Sequence, residues 1–392
     1  MSDYLPPEVL VEIFLRLPVD SLLRFRCVCK SWHCLITDPT FVSLYTQFAA
    51  TNNHKKANRF IIRRYSKVQG KETFTLNFDD DGSLVATHQL NWPFKSSLDY
   101  FQIVGSCNGL LCLTDYHSKQ RGCPQSIILW NPLVRKFANV PLKHNIDSRC
   151  FDAILGFGFD SKSINYKVVK VVYFVADYPS QVVWREVEIF DLRLGAWRNS
   201  KATVTTYPDF VIDRSSQQAF LNETIHWVGC TLPNKELGGQ QKLVVATFDV
   251  SNEVFGQLEI PEETANLGYR NKMSLSVLGG SLSLIWYKNV WPEQHSSICY
   301  IWVMKDYGVS ESWLKQYKIH LTCGVSKALG LRGNGEILLV MSHGLLVSYD
   351  PESNRISPLD ICGDPYSFFL DTYVDSLFLW KGLHKVRPEV LL

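Results

Sequence analysis

Residues 127–137 read IILWNPLVRKF: an apolar strand, an Asn at a turn, and an aromatic residue a few places on. The phrase returns as VEIFDLRLGAW (187–197), VATFDVSNEVF (245–255) and LVSYDPESNRI (346–356), with YIWVMKDYGVSESW (300–313) as a longer variant. Its turn residues, Asn131, Asp191, Asp249, Asp306 and Asp350, stand roughly 45 to 60 residues apart. Upstream of several lies a second phrase, a turn followed by a short strand: CNGLLCL (107–113), LNETIHWV (221–228), LGGSLSLIW (278–286) and RGNGEILLV (332–340). Each repeat is therefore two hairpins, or about four strands. Four-stranded units at this period suggest a β-propeller, where radial closure leaves few exposed edges.

Six units can be counted, at about 59–98, 101–142, 153–200, 217–261, 273–320 and 326–362. The final YSFFLDTYVDSLFLW (366–380) is expected to return to the first unit and close the ring. A seven-bladed ring or an open sandwich of the same hairpins is the alternative. Between the phrases the chain is made of short runs rich in Val, Ile, Phe, Tyr and Trp, such as YKVVKVVYFV (166–175) and EILLVM (336–341), bounded by turn residues. The tryptophans, among them Trp130, Trp184, Trp197, Trp227, Trp286, Trp291, Trp302, Trp313 and Trp380, read as packing between sheets.

Residues 1–48 are of another kind. EVLVEIFLRL (8–17) has seven apolar residues of ten and follows Pro6 and Pro7; SLLRFRCV (21–28), with Asp20 or Ser21 as cap, and CKSWHCLI (29–36) continue as helices, and Asp38-Pro39 opens a fourth. In the first helix Val9, Leu10, Ile13 and Leu17 cover one side, while Val11, Phe14 and Leu15 cover much of the other. A helix apolar nearly all round must be buried nearly all round. A unit of about 45 residues has too little interior for that. Either the rest of the chain or a separate protein covers the surplus. The fold class is thus α+β multidomain: a small all-α unit of three to four helices (1–48), a polar and basic linker (49–58), and a large all-β, propeller-like domain of six blades (59–392).

Leu5-Pro6, Ile13, Leu17-Pro18, Leu22, Val28, Trp32 and Leu35 reproduce without a gap the spacing of the F-box, which this unit resembles. The resemblance implies docking on the Skp adaptor of a cullin–RING ubiquitin ligase through those residues, with Val28, Cys29 and Leu35 reading equally as packing inside the unit. GSCNGLLCL (105–113), LWNP (129–132), GFGFDSKSINYKVVKVV (156–172), WRNS (197–200), HWVG (226–229) and Tyr373-Val374-Asp375-Ser376-Leu377 are similar to the kelch-related F-box-associated domain of plants. Kelch-type double glycines are sparse: Gly238-Gly239 and Gly279-Gly280.

Forty basic residues against 38 acidic ones give a net charge of +2, so no overall field draws the chain to nucleic acid or an anionic membrane. The longest apolar stretch is far too short to span a bilayer, and the N-terminus is no signal peptide. The 11 cysteines, irregularly spaced, read as reduced, mostly buried thiols of a cytoplasmic and/or nuclear protein, in which the sequon at Asn222 is silent. Lys55, Lys56, Arg59, Arg63, Arg64, Lys67 and Lys71 fall in a stretch without acids, which reads as a solvated linker running into an exposed first strand. Asp79-Asp80-Asp81-Gly82 reads as a hairpin turn rather than a metal cluster. GFGFD (156–160) reads as a turn, since it lacks the third glycine of a dinucleotide site.

The sequence carries no CxxC, HExxH, GxSxG or Walker signature. The expectation is therefore a protein without catalytic site, cofactor or metal: a substrate receptor of a ubiquitin ligase, binding the Skp-family adaptor (and through it cullin and RING proteins) and a target that the sequence does not specify. The alternatives are a scaffold whose F-box serves pairing alone, and a propeller enzyme, which would need clustered carboxylates.

Overall fold

The computed structural model describes residues 5–52, 59–80, 83–90, 101–116, 124–142, 150–174, 185–200, 210–213, 216–231, 242–265, 272–288, 297–321, 324–378 and 384–385. Helices come first: α1 (Pro7–Leu15), α2 (Val19–Phe25), α3 (Lys30–Thr37) and α4 (Pro39–Asn52). Proline early in α1 costs no hydrogen bond, because the N–H it lacks would have no intrahelical acceptor. Asp38 caps α4, its Oδ1 accepting the N–H of Thr40 at 2.8 Å and of Phe41 at 3.3 Å. Hydrogen bonds from Thr40 lead in holding that carboxyl below its ordinary range. The caps expected at Asp20 and Ser21 are corrected: Pro18 holds the cap position of α2, and no side chain bonds its N–H groups. Helix α4 also runs past the expected boundary at 48, into the span read as linker.

The strands form six antiparallel sheets. In chain order they are β1 (Arg59–Ser66), β2 (Lys71–Asp80) and β3 (Ser83–Leu90); β4 (Gln102–Cys107), β5 (Leu110–Tyr116), β6 (Pro124–Asn131) and β7 (Lys136–Val140); β8 (Cys150–Asp160), β9 (Asn165–Phe174), β10 (Arg185–Asp191) and β11 (Ala196–Asn199). There follow β12 (Phe210–Ile212), β13 (Ala219–Leu221), β14 (Thr224–Thr231), β15 (Leu243–Asp249) and β16 (Val254–Glu259); after a short α5 (Glu262–Ala265), β17 (Lys272–Leu278), β18 (Ser281–Lys288), β19 (Ser297–Met304) and β20 (Trp313–Leu321). The last are β21 (Val325–Leu331), β22 (Ile337–Met341), β23 (Leu345–Asp350), β24 (Arg355–Cys362), β25 (Phe369–Thr372) and β26 (His384–Lys385). Strand β25 returns to pair with β1, Phe60 opposite Thr372 and Arg63 opposite Phe369, so the first sheet takes its innermost strand from the far end of the chain. The fourth sheet begins earlier than expected, at β12, which shares the inner position with β13.

The six sheets are the blades of a propeller, and the packing shows why the ring holds. In β22 all five residues are buried: Ile337, Leu339 and Met341 join a cluster with Ile285, Ile301 and Ile319 of the fifth sheet, while Leu338 and Val340 join Phe60, Ile62 and Leu84 of the first. Successive side chains point to opposite faces of a strand, so a strand between two neighbours must be apolar on both. Each of the other adjacent pairs shares a cluster of the same kind. Trp130 and Trp227, both buried, sit in two of them; Trp184, Trp291 and Trp380 lie outside the described residues, as do Gly238 and Gly239.

The recurring Asp or Asn closes the turn between the third and fourth strands of a blade. Asp191 Oδ1 accepts the N–H of Arg193 and of Leu194, each at 3.0 Å. Asp249 Oδ1 does the same for Ser251 and Asn252 at 2.9 and 2.7 Å, and Asp350 for Glu352 at 2.9 Å. In the longer variant Ser312 Oγ accepts the N–H of Asp306 at 3.1 Å.

Three expectations are corrected and one, the hairpin at the aspartate run, is met with an added ion pair. GFGFD is strand, not turn: it ends β8, and a Cβ on Gly156 would sit 2.4 Å from the Trp227 ring of the next blade. The first strand is not exposed, since β1 is buried at Phe60–Arg63 and half-buried along the rest, while Lys67 and Lys71 beyond it stay exposed. Arg63 pairs with Glu72 at 2.6 Å and Arg59 with Asp375 at 2.8 Å, whereas Lys55 and Lys56 lie outside the described residues. The aspartate run does form a hairpin, with Asp80 opposite Ser83, but Asp79 is buried and paired with Arg332 at 2.6 Å. The thiols divide evenly among the described cysteines: Cys107, Cys112, Cys230 and Cys299 are buried, and Cys27, Cys29, Cys34 and Cys362 are exposed. No helix among the described residues is long and apolar enough to cross a membrane.

Candidate docking surface

The helical unit divides its apolar residues between an interior and a surface. Phe14, Val19, Leu22, Ile36, Phe41 and Tyr45 are buried together. Trp32 meets Phe14 edge-on at 5.1 Å, and Phe25 lies against both rings. The Tyr45 hydroxyl donates to the Leu17 carbonyl at 3.0 Å, fastening α4 to the turn after α1. On the outside, Leu5, Val9 and Ile13 remain 49%, 41% and 42% exposed, and Val28 62%. Residues four apart share one face of a helix, so Val9 and Ile13 form a stripe that Leu5 extends.

The residues of the F-box spacing therefore do two jobs. Leu5, Pro6, Ile13, Pro18 and Val28 are exposed; Leu17, Trp32 and Leu35 are half-buried against the interior; Leu22 is fully buried. The expectation for Leu22 is corrected, because a side chain with no exposed surface has none to give a partner. Cys29 and Val28 are not internal packing.

The chain itself covers part of the helical unit. Leu377 is buried in its core, with Leu133 and Phe378 packed beside it. The segment that carries Leu377 is clamped to the ring at several points. Tyr373 donates its hydroxyl to Gly109 O at 3.2 Å, Asp375 pairs with Arg59, and Asn131 Nδ2 donates to Ser376 O and Phe378 O at 3.1 and 3.3 Å. The turn Asn108-Gly109, with φ of +44° and +75°, closes against Val374 and Ser376 and leaves no room for a Cβ at Gly109. This seat was absent from the sequence reading. Its signal was the Tyr373–Leu377 motif, which looks like a closing strand alone.

The third to fourth strand turns stand at the rim that bears this seat. The strand ends at the opposite rim lead into connections that fall largely outside the described residues, and no target-binding residue is assigned there. Among the described residues no group of three or more His, Cys, Asp or Glu is placed to hold a metal ion.

An exposed apolar stripe on a small helical unit, seated on a six-bladed ring, makes this a two-part protein of helical unit and propeller. The F-box domain model matches residues 3–44 and the F-box associated beta propeller domain model residues 59–373, and the chain belongs to the family of F-box proteins with that propeller. It is similar to three Arabidopsis thaliana proteins. F-box protein At3g07870 is 28% identical, over 96% of this chain and 92% of its own length. F-box protein CPR1 is 26% identical, over 96% and 89%. F-box/kelch-repeat protein At3g23880 is 28% identical, over 90% and 92%. Domains of these two kinds are typically non-catalytic adaptor or recognition modules, and the F-box generally binds Skp1-family adaptors.

Proposed function

We propose that the chain is the substrate receptor of an SCF-type (Skp–cullin–F-box) ubiquitin ligase, working in the cytoplasm or nucleus. The observation that carries this reading is the uncovered stripe Leu5–Val9–Ile13, with Val28, on a unit whose other side is already buried against the propeller. The adaptor covers the stripe, and the blades hold a target protein. Catalysis by such a receptor is proximity: fixing the target near the ubiquitin-loaded enzyme raises the effective concentration of its lysines. That mechanism needs a stiff link between the two surfaces. The seat of Leu377 and Phe378 in the helical core supplies one.

The test is capture of a Skp adaptor by the full-length chain and by its Ile13→Asp variant, followed by target ubiquitination with cullin and RING proteins added. Equal capture by both proteins refutes the docking surface. Capture without any partner accumulating when the ligase is blocked favours a scaffold instead.

A further inference from the structure

The innermost strands of the blades enclose a channel of about 210 Å³, walled by β4, β13, β17, β21 and β25. A cavity of about 150 Å³ holds one benzene, so this space suits a small organic molecule. Its wall carries one cation and one carboxylate that are not paired with each other. Lys327 Nζ donates to Gln217 Oε1 at 2.8 Å and to Phe368 O at 2.9 Å, both neutral acceptors, and an ammonium has a third proton to give. Among the described residues no carboxylate pairs with it. Asp371 Oδ1 accepts the N–H of Thr372 at 2.8 Å, and the Ser106 hydroxyl also bonds this carboxylate.

We propose that the channel binds a small amino- or hydroxycarboxylic acid, its carboxylate received by Lys327 and its amino or hydroxyl group by Asp371. Two opposite charges fixed in one enclosed space select a molecule that carries the complementary pair, and burial makes each charge costly while it stands alone. Burial, with Arg63 nearby, pushes the Lys327 ammonium down to about 8. Burial also pushes the Asp371 carboxyl up to about 7. A dinucleotide or polyphosphate is excluded by size, and a simple dicarboxylate would place a second anion against Asp371.

The experiment is calorimetric titration and thermal unfolding of the full-length chain at pH 7 with L-serine, L-lactate, succinate and inorganic phosphate. Saturable binding of serine or lactate in preference to succinate is expected. Lys327→Met should weaken it at least about tenfold, the loss of one charged hydrogen bond. Affinity should also fall as the pH rises through 8. Asp371→Asn, nearly the same shape, should erase the preference over succinate, and it decides the matter if Lys327→Met does not fold. A folded chain that binds none of the four overturns the proposal, as does binding unchanged in both variants, or phosphate bound alone. Adaptor capture is a separate readout, so failure here leaves the docking surface untouched.

Discussion

Arg332 reaches from the sixth blade to Asp79 of the first, with Nη2 2.6 Å from Oδ1 and both side chains buried. Asp79 Oδ2 also accepts the N–H of Gly333 at 3.0 Å. The ring is thus joined at its seam by an ion pair as well as by β25. Removing one member of a buried pair leaves the other charge uncompensated, which costs about 3–5 kcal/mol. Glu336, 2.7 Å from Arg332, retains part of the compensation. Asp79→Ala is therefore expected to lower unfolding free energy by about 2–3 kcal/mol in urea titration. A loss below 0.5 kcal/mol would show the seam pair to be dispensable.

Surface and interior of the F-box separate by substitution. Ile13→Asp should abolish adaptor capture and leave the thermal midpoint unchanged, because Ile13 is 42% exposed. Leu22→Ala should do the reverse: it opens a cavity in the helical core and costs about 2–4 kcal/mol. Its effect on capture at low temperature should be small. Capture lost in Leu22→Ala while the helical core stays folded contradicts this division.

Two glycines with nearly equal φ test the seat. Gly109, at +75°, faces Val374 O and Ser376 Cβ, each 2.5 Å from a would-be Cβ, whereas Gly280, at +78°, faces open space. Both alanine variants carry the strain of a left-handed residue. Gly109→Ala alone also collides with the backbone that leads to Leu377. It should be the less stable of the two by about 1–3 kcal/mol. It should also loosen residues 373–378 in hydrogen exchange. Equal stabilities would mean that the turn does not press on the closing segment.

His226 gives the chain an acid-sensitive point. Its Nδ1 faces Ala219 O at 3.3 Å and its Nε2 the Tyr307 hydroxyl at 2.9 Å. A carbonyl can only accept, so Nδ1 bears the proton and Nε2 accepts from Tyr307. Burial pushes the folded value down to about 4. The unfolded ring takes up its proton near 6.5, so the associated stability is whole above that pH and is lost as the pH falls to about 4. The total is about 3 kcal/mol. His226→Gln should flatten this part of the pH–stability curve. The difference between the two proteins isolates His226 from Asp371, whose raised value acts in the opposite sense over a similar range. Parallel curves would rule the histidine out.

The repeat was legible because its signals are local. An Asp or Asn whose oxygen bonds the next N–H groups marks a turn wherever it stands, as Asp191 and Asp249 do. The F-box spacing was legible for the same reason, and so was the return of the last strands. The jobs of single residues were less so. Gly156 reads as a turn until Trp227 of the next blade is seen to need its space. Arg63 reads as solvated until Glu72 of the next strand is found paired with it, and Leu22 reads as an anchor until the helices close over it.

By itself, then, the sequence determined a short helical unit with surplus apolar surface, joined to a repeat of four-stranded sheets. Both follow from periodicity and turn chemistry over a few residues. Only the tertiary structure decided which apolar residues stay outside, how the segment at Leu377 seats the F-box on the ring, and that Lys327 and Asp371 share one channel. Those facts depend on contacts between residues tens to hundreds of positions apart, and no local pattern in a chain records its distant neighbours.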